Sequence, residues 1–133
     1  MATKAKDIMS TQVTVAHENM SVEDAVKLLV LHSITGMPVV NARGQMVGVL
    51  SEYDIIVDAS QAKLLTRKYL KQKITFSRKV DAVFEDTPLS DVVKRFVKRR
   101  YRRLPVLDRK SRIVGIISRR DVIRLIYYRA KVP

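Results

Sequence analysis

The sequence contains no cysteine in 133 residues, so no disulfide can form, and a reducing compartment suits it. No apolar run approaches the roughly 18 residues of a membrane helix. The N-terminus, Met1-Ala2-Thr3-Lys4-Ala5-Lys6, is followed by Asp7 and no apolar core, so no secretory signal is expected. A soluble cytoplasmic protein is expected. The two histidines, His17 and His32, have no partners at metal-ligand spacing. No Ser/His/Asp or paired-carboxylate constellation stands out, so the chain does not read as an enzyme. Helix-turn-helix, zinc and RNA-recognition signatures are also missing.

Charge is plentiful, and it is lopsided. The net charge is +13, but residues 1–60 hold 4 Lys+Arg against 7 Asp+Glu, whereas residues 61–133 hold 22 against 6. Such asymmetry points to an anionic partner or to a well-solvated surface. The 47% hydrophobic content is that of a globular protein.

A repeat organises the chain. Pro38-Val39 and Gly48-Val49-Leu50-Ser51-Glu52-Tyr53-Asp54 return as Pro105-Val106 and Gly115-Ile116-Ile117-Ser118-Arg119-Arg120-Asp121, at a constant shift of 67 residues. Ser10 matches Ser77 and Val13 matches Val80 at the same shift, and no gap is needed between residues 10–56 and 77–123.

In the first copy Val13-Thr14-Val15 predicts a short strand. Ser21 with Asp24 predicts a helix start, and Val22, Ala25, Val26, Leu29 and Val30 supply its apolar stripe. Met37-Pro38-Val39-Val40 and Met46-Val47-Gly48-Val49-Leu50 read as strands around the turn Asn41-Ala42-Arg43-Gly44. A helix starting near Ser51 is expected to run on through Lys63-Leu64-Leu65. In the second copy Pro88 suits the first position of a helix whose stripe is Val92, Val93, Phe96 and Val97. Leu104-Pro105-Val106-Leu107 and Arg112 to Ile117 are strands around Asp108-Arg109-Lys110-Ser111, and a closing helix runs from about Ser118 to Tyr128. The stretch from Ala59 to Thr75 reads as an extended helix and connector.

The expected fold is therefore mixed α/β, more narrowly α+β. Two repeats, each strand-helix-strand-strand-helix, occupy residues 1–66 and 67–133. One copy alone buries too little apolar surface to stand well, so the two are expected to pack with pseudo-twofold symmetry.

The Gly-x-x-Ser-x-x-Asp junction carries the chemistry. Gly48 and Gly115 leave room for a ligand or for a neighbouring backbone. Ser51 and Ser118 stand at helix starts, where unpaired N–H groups and the helix dipole favour an anion such as phosphate. Asp54 and Asp121 follow one turn later, where a carboxylate can accept both hydroxyls of a ribose. The base then falls near Met37-Pro38 or Leu104-Pro105. Ser-x-x-Asp at a helix start is equally a plain capping box, and both readings stand.

These residues resemble a tandem pair of cystathionine-β-synthase (CBS) domains, a Bateman module, over about Lys4 to Tyr128. The resemblance rests on the hydrophobic-Pro-Val strand, the acidic or amide turn and the Gly-hydrophobic-hydrophobic-Ser-x-x-Asp junction in both copies. It implies a regulatory module that binds adenosine ligands (AMP, ADP, ATP, NAD or S-adenosylmethionine) in clefts between the repeats, pairs into a homodimer and controls an enzyme or transporter. It also implies a first site of Thr14, Ile34, Met37, Pro38, Ser51 and Asp54, and a second of Val80, Tyr101, Leu104, Pro105, Ser118 and Asp121. Glu52 beside the first site repels polyphosphate if it points inward. Arg102, Arg103, Arg119 and Arg120 favour anions at the second. Apolar faces around Ile55-Ile56-Val57, Val122-Ile123 and Leu125-Ile126 are expected to form the dimer contact. The competing reading is a nucleic-acid-binding protein using Lys98-Arg99-Arg100-Tyr101-Arg102-Arg103 and the rest of the basic half.

Overall fold

The 67-residue shift holds in the backbone. The structure, a computed structural model, describes residues 3–61 and 66–131. In chain order it forms α1 (Ala5–Ile8), β1 (Ala16–His17), α2 (Val22–Leu31), β2 (Gly36–Val40), β3 (Met46–Ser51), α3 (Glu52–Gln61), α4 (Arg67–Lys71), β4 (Val83–Phe84), α5 (Leu89–Arg99), β5 (Arg103–Leu107), β6 (Ile113–Ser118) and α6 (Arg119–Lys131). The fold is α+β, with two three-stranded sheets ordered β1-β2-β3 and β4-β5-β6. Each sheet has one parallel and one antiparallel pair, and each carries an irregularity at the same place, Val39/Val40 and Val106/Leu107. Among the described residues no helix is long and apolar enough to cross a membrane.

The chain divides into two compact units, Thr14–Val80 and Met1–Val13 with Asp81–Pro133. The segment ahead of each repeat has therefore changed sides. Ser10 pairs with Ile116, and Ser77 pairs with Val49, each through two backbone hydrogen bonds of 2.8–3.1 Å. Nothing in residue type marks this exchange, because Ser10 and Ser77 sit at equivalent places in the repeat and both ends of the bridge are duplicated.

The two conserved-spacing glycines are explained by it. A Cβ on Gly48 would lie 2.1 Å from the Ser77 carbonyl oxygen and 2.7 Å from the Phe76 ring. One on Gly115 would lie 2.4 Å from Met9 Sδ and 3.0 Å from the Ser10 carbonyl oxygen. It is neighbouring chain, not a ligand, that approaches both glycines.

In the Thr14–Val80 unit the core is Ala16, Val22, Ala25, Leu29, Met37, Val39, Leu50, Tyr69 and Ile74. Ser21 caps α2 by accepting the Asp24 N–H at 3.1 Å. The turn after β2 is held by Asn41, whose Oδ1 accepts the N–H groups of Arg43 and Gln45. The other unit repeats this design around Ala5, Val83, Val92, Phe96, Leu104, Val106 and Ile117. There Asp108 Oδ1 takes the N–H groups of Lys110 and Arg112.

Three local expectations need correction. The first strand lies at Ala16–His17, not Val13–Val15, because buried Ala16 is the residue that pairs with Val39. Pro88 is the N-cap of α5, not its first residue, and the Leu89 N–H is taken by the Thr3 carbonyl at 2.9 Å. Val30 and Val97 leave the stripe and are 70% and 75% exposed. Each lies one position past a buried residue, Leu29 or Phe96, so the helix rotates it off the sheet. The helix expected after Ser51 is described as α3 over Glu52–Gln61, and its expected continuation through Lys63-Leu64-Leu65 lies outside the described residues.

Tyr69 gives this core a measurable signature. Its ring is buried and its hydroxyl donates to the Ile55 carbonyl at 3.2 Å. Burial, and then the nearby Asp58 carboxylate, push its pKa up to about 12. The folded value lies above the unfolded one, so the stabilisation is fully present below pH of about 10 and disappears as pH rises through the folded value. Tyr69→Phe should remove a late step from the tyrosinate absorbance titration and flatten the alkaline loss of stability. A titration unchanged by Tyr69→Phe contradicts the assignment.

Candidate functional site

In both units the strand-to-helix junction closes as a reciprocal capping box. Ser51 N–H donates to Asp54 Oδ2 at 3.0 Å, and Asp54 N–H donates to Ser51 Oγ at 3.1 Å. The corresponding bonds between Ser118 and Asp121 measure 2.7 and 3.2 Å. The box uses one oxygen of each carboxylate and the acceptor side of each hydroxyl. The serine O–H proton and the second carboxylate oxygen are left over. Asp54 Oδ1 has no partner among the described residues, while Asp121 Oδ1 stands 3.6 Å from Arg124. Capping and ligand binding are therefore compatible uses of the same pair.

Strand register gathers the first set. Ser51 lies opposite Gly36, Leu50 opposite Met37 and Val49 opposite Pro38. Met37 and Pro38 are buried, and Ile34 is half-buried against the core. Thr14 is half-buried just ahead of β1. Glu52 is exposed. Asp54 also lines a hollow of about 360 Å³ with Tyr53, Asp58, Thr75, Phe76 and Ser77. The Arg78 guanidinium stands over the Phe76 ring, 4.9 Å from its centre. Sequence reasoning missed Thr75 and Phe76. The match of Ser77 to Ser10 was the available signal, but it did not reveal which hairpin each segment joins.

In the second set Ser118 lies opposite Arg103, Ile117 opposite Leu104 and Ile116 opposite Pro105. Val80 is the last residue of the Thr14–Val80 unit, and the rest of the second set falls in the other unit. At a shift of 67 the residue in Thr14's place is Asp81. Asp81 is also the one that reaches Tyr101: the Tyr101 hydroxyl donates to Asp81 Oδ2, and Arg95 approaches Asp81 to 3.8 Å. Burial, and then Asp81, raise the Tyr101 pKa against the pull of Arg99 and Arg95. Arg119 donates through Nε to the Tyr101 carbonyl at 2.6 Å and through Nη2 to that of Arg100, a left-handed residue ending α5. Its fork is thus occupied by backbone. Arg102, Arg103 and Arg120 are exposed.

Of the apolar faces, Ile55 and Val122 pack on their own cores, whereas Ile56, Ile123 and Ile126 are exposed by 62–65%. His17 and His32 are exposed, and among the described residues no group of His, Asp and Glu could hold a metal.

The duplicated junction, with its sheet order and register, has a counterpart in known proteins. The sequence profile of the CBS domain matches residues 5–58 and again 73–128. The chain belongs to the CBS-domain family. Its similarity to L-aspartate semialdehyde sulfurtransferase of Methanocaldococcus jannaschii is 34% identity over 92% of this chain, though only 23% of that enzyme. The chain thus spans about a quarter of that curated relative's length. Among solved structures, the CBS domain pair of protein MJ0100, in complex with 5′-methylthioadenosine and S-adenosyl-L-methionine, is 32% identical with a TM-score of 0.73. That likeness covers 97% of this chain and 99% of the other. CBSX2 of Arabidopsis thaliana superposes over the full length of both chains with 27% identity and a TM-score of 0.84. CBSX2 has also been solved in complex with AMP.

Proposed function

We propose that this CBS pair is a non-catalytic regulatory module of the cytoplasm. It binds an adenosine ligand (AMP, ADP, ATP, NAD or S-adenosylmethionine) and controls a partner enzyme or transporter. The observation that carries the reading is the doubled Ser-x-x-Asp element, whose capping leaves over the serine hydroxyl proton and one carboxylate oxygen, that of Asp54 without a partner among the described residues and that of Asp121 3.6 Å from Arg124. The hydroxyl and helix start serve phosphate, and the carboxylate serves ribose. The base lies toward Met37-Pro38 with Thr14 and Ile34 in one unit, and toward Leu104-Pro105 with Tyr101 in the other. Arg103, opposite Ser118, supplies the cation that Gly36 cannot supply opposite Ser51. The AMP, 5′-methylthioadenosine and S-adenosyl-L-methionine complexes of similar CBS pairs support this choice of ligand class.

The protein acts as a homodimer in this account. Val30, Ile56, Val97, Ile123 and Ile126 present apolar surface that their own units leave uncovered. Native mass spectrometry of the purified protein tests ligand and assembly together. A dimer mass that carries, or takes up, AMP is expected. A monomer that neither retains a nucleotide nor takes up AMP contradicts the reading.

A further inference from the structure

A second kind of site lies beside the edge strand of the β4-β5-β6 sheet. A hollow of about 510 Å³ is lined by Phe84, Thr87, Asp91, Lys94, Arg95 and Lys98, together with the β4 backbone region. None of these residues belongs to the Gly-x-x-Ser-x-x-Asp element. Lys94 and Lys98 are exposed, stand one helical turn apart on α5, and hold no ion pair among the described residues. Phe84 is 42% exposed on β4. Arg109 lies over its ring, 5.5 Å from the centre, while its guanidinium also meets Asp86.

The fold does not demand this arrangement. At a shift of 67 the first copy has His17 for Phe84, Met20 for Thr87, Leu28 for Arg95, Leu31 for Lys98 and Ala42 for Arg109. Asp24 matches Asp91 and Lys27 matches Lys94, but Lys27 is paired with Glu23 at 3.9 Å. Both copies build the same sheet and helix, so Arg95, Lys98, Arg109 and the exposed ring are a property of the second copy alone.

A recess that joins two lysines, without ion pairs among the described residues, to an exposed aromatic ring over which the Arg109 guanidinium lies offers two things at once. The lysines neutralise successive backbone phosphates, and the flat groups give unpaired bases a surface to stack on. A duplex hides its base faces and an anionic bilayer has none, so neither uses the ring. We propose that this hollow binds single-stranded nucleic acid without sequence preference, independently of the adenosine sites.

The test is fluorescence anisotropy of the dimeric or monomeric protein, as purified, with a labelled oligodeoxythymidylate of roughly 12 nucleotides, between about 50 and 200 mM salt. Lys94→Ala/Lys98→Ala should weaken binding about tenfold and make the slope of log affinity against log salt shallower by about 1.4, or 0.7 per lost contact. Phe84→Leu, which keeps an apolar side chain at this partly exposed position, should cost about tenfold with the slope unchanged. The charge-matched pair Lys68→Ala/Lys71→Ala on α4 should change affinity less than about twofold. Heparin, a polyanion without bases, should be insensitive to Phe84→Leu. Equal losses from the two lysine pairs overturn the proposal, and so does wild-type oligonucleotide affinity in Phe84→Leu. Heparin or anionic vesicles losing as much affinity as the oligonucleotide in Phe84→Leu also overturns it.

Discussion

Gly48→Ala should lower the melting temperature far more than Gly115→Ala. The new methyl at Gly48 would stand 2.1 Å from the Ser77 carbonyl oxygen and 2.7–2.9 Å from the Phe76 ring. The carbonyl cannot withdraw, because Ser77 and Val49 exchange hydrogen bonds of 2.8 and 3.1 Å. At Gly115 the nearest atoms, at 2.4 and 2.7 Å, are Sδ and Cγ of Met9, an unbranched side chain that can turn aside. The backbone oxygen of Ser10 is at 3.0 Å and must move only slightly. Overpacking of this kind costs about 1–3 kcal/mol, and Gly48→Ala belongs at the upper end or beyond. At about 2–8 °C per kcal/mol, a loss near 10 °C is expected for Gly48→Ala and a few degrees for Gly115→Ala. Thermal denaturation followed by circular dichroism decides. Equal losses, or a larger one at Gly115, contradict the account of the exchanged segments.

Asp121→Ala should weaken AMP binding by about ten- to a hundredfold, the loss of charge-assisted hydrogen bonds worth about 1.5–3 kcal/mol. Asp54→Ala should weaken it less. Arg103 lies opposite Ser118, and Arg102 and Arg120 flank the same element, whereas the first copy places Gly36 and exposed Glu52 there. Arg119 contributes little to the difference, since its guanidinium is bonded to the carbonyls of Arg100 and Tyr101. Both substitutions also remove half of a capping box, at about 0.5–2 kcal/mol of stability each. Asp121→Asn and Asp54→Asn separate the effects, because an amide oxygen can still accept the serine N–H while the charge is gone. Titration calorimetry on all four variants gives the comparison; equal losses at the two positions, or a greater one at Asp54, refute the asymmetry.

Much of this was legible because short-range chemistry set it. Ser21 with Asp24, Asn41 with Gly44 and Asp108 with Ser111 determine local backbone, and their partners lie within a few residues. The Ser-x-x-Asp elements read correctly as capping boxes for the same reason. The shift of 67 extended each local reading to the second copy. What escaped depends on tertiary partners. Which hairpin Ser10 and Ser77 join is invisible when both hairpins share one pattern. Val13-Thr14-Val15 has strand-forming residues, yet the buried Ala16 takes the pairing with Val39, since tertiary context overrides strand propensity. Val30 and Val97 fit the apolar stripe by spacing, but each lies one position past the buried Leu29 or Phe96, and the helix turns it away from the core. Asp81 was recoverable by arithmetic from Thr14, though its bond to Tyr101 was not.

The most direct test of the central claim is a crystal structure of the protein grown with AMP. The account predicts ribose hydroxyls within about 2.6–3.2 Å of the Asp54 or Asp121 carboxylate, with phosphate on the adjoining serine hydroxyl and helix start. AMP bound only elsewhere, or an empty junction in both units at saturating AMP, would contradict it.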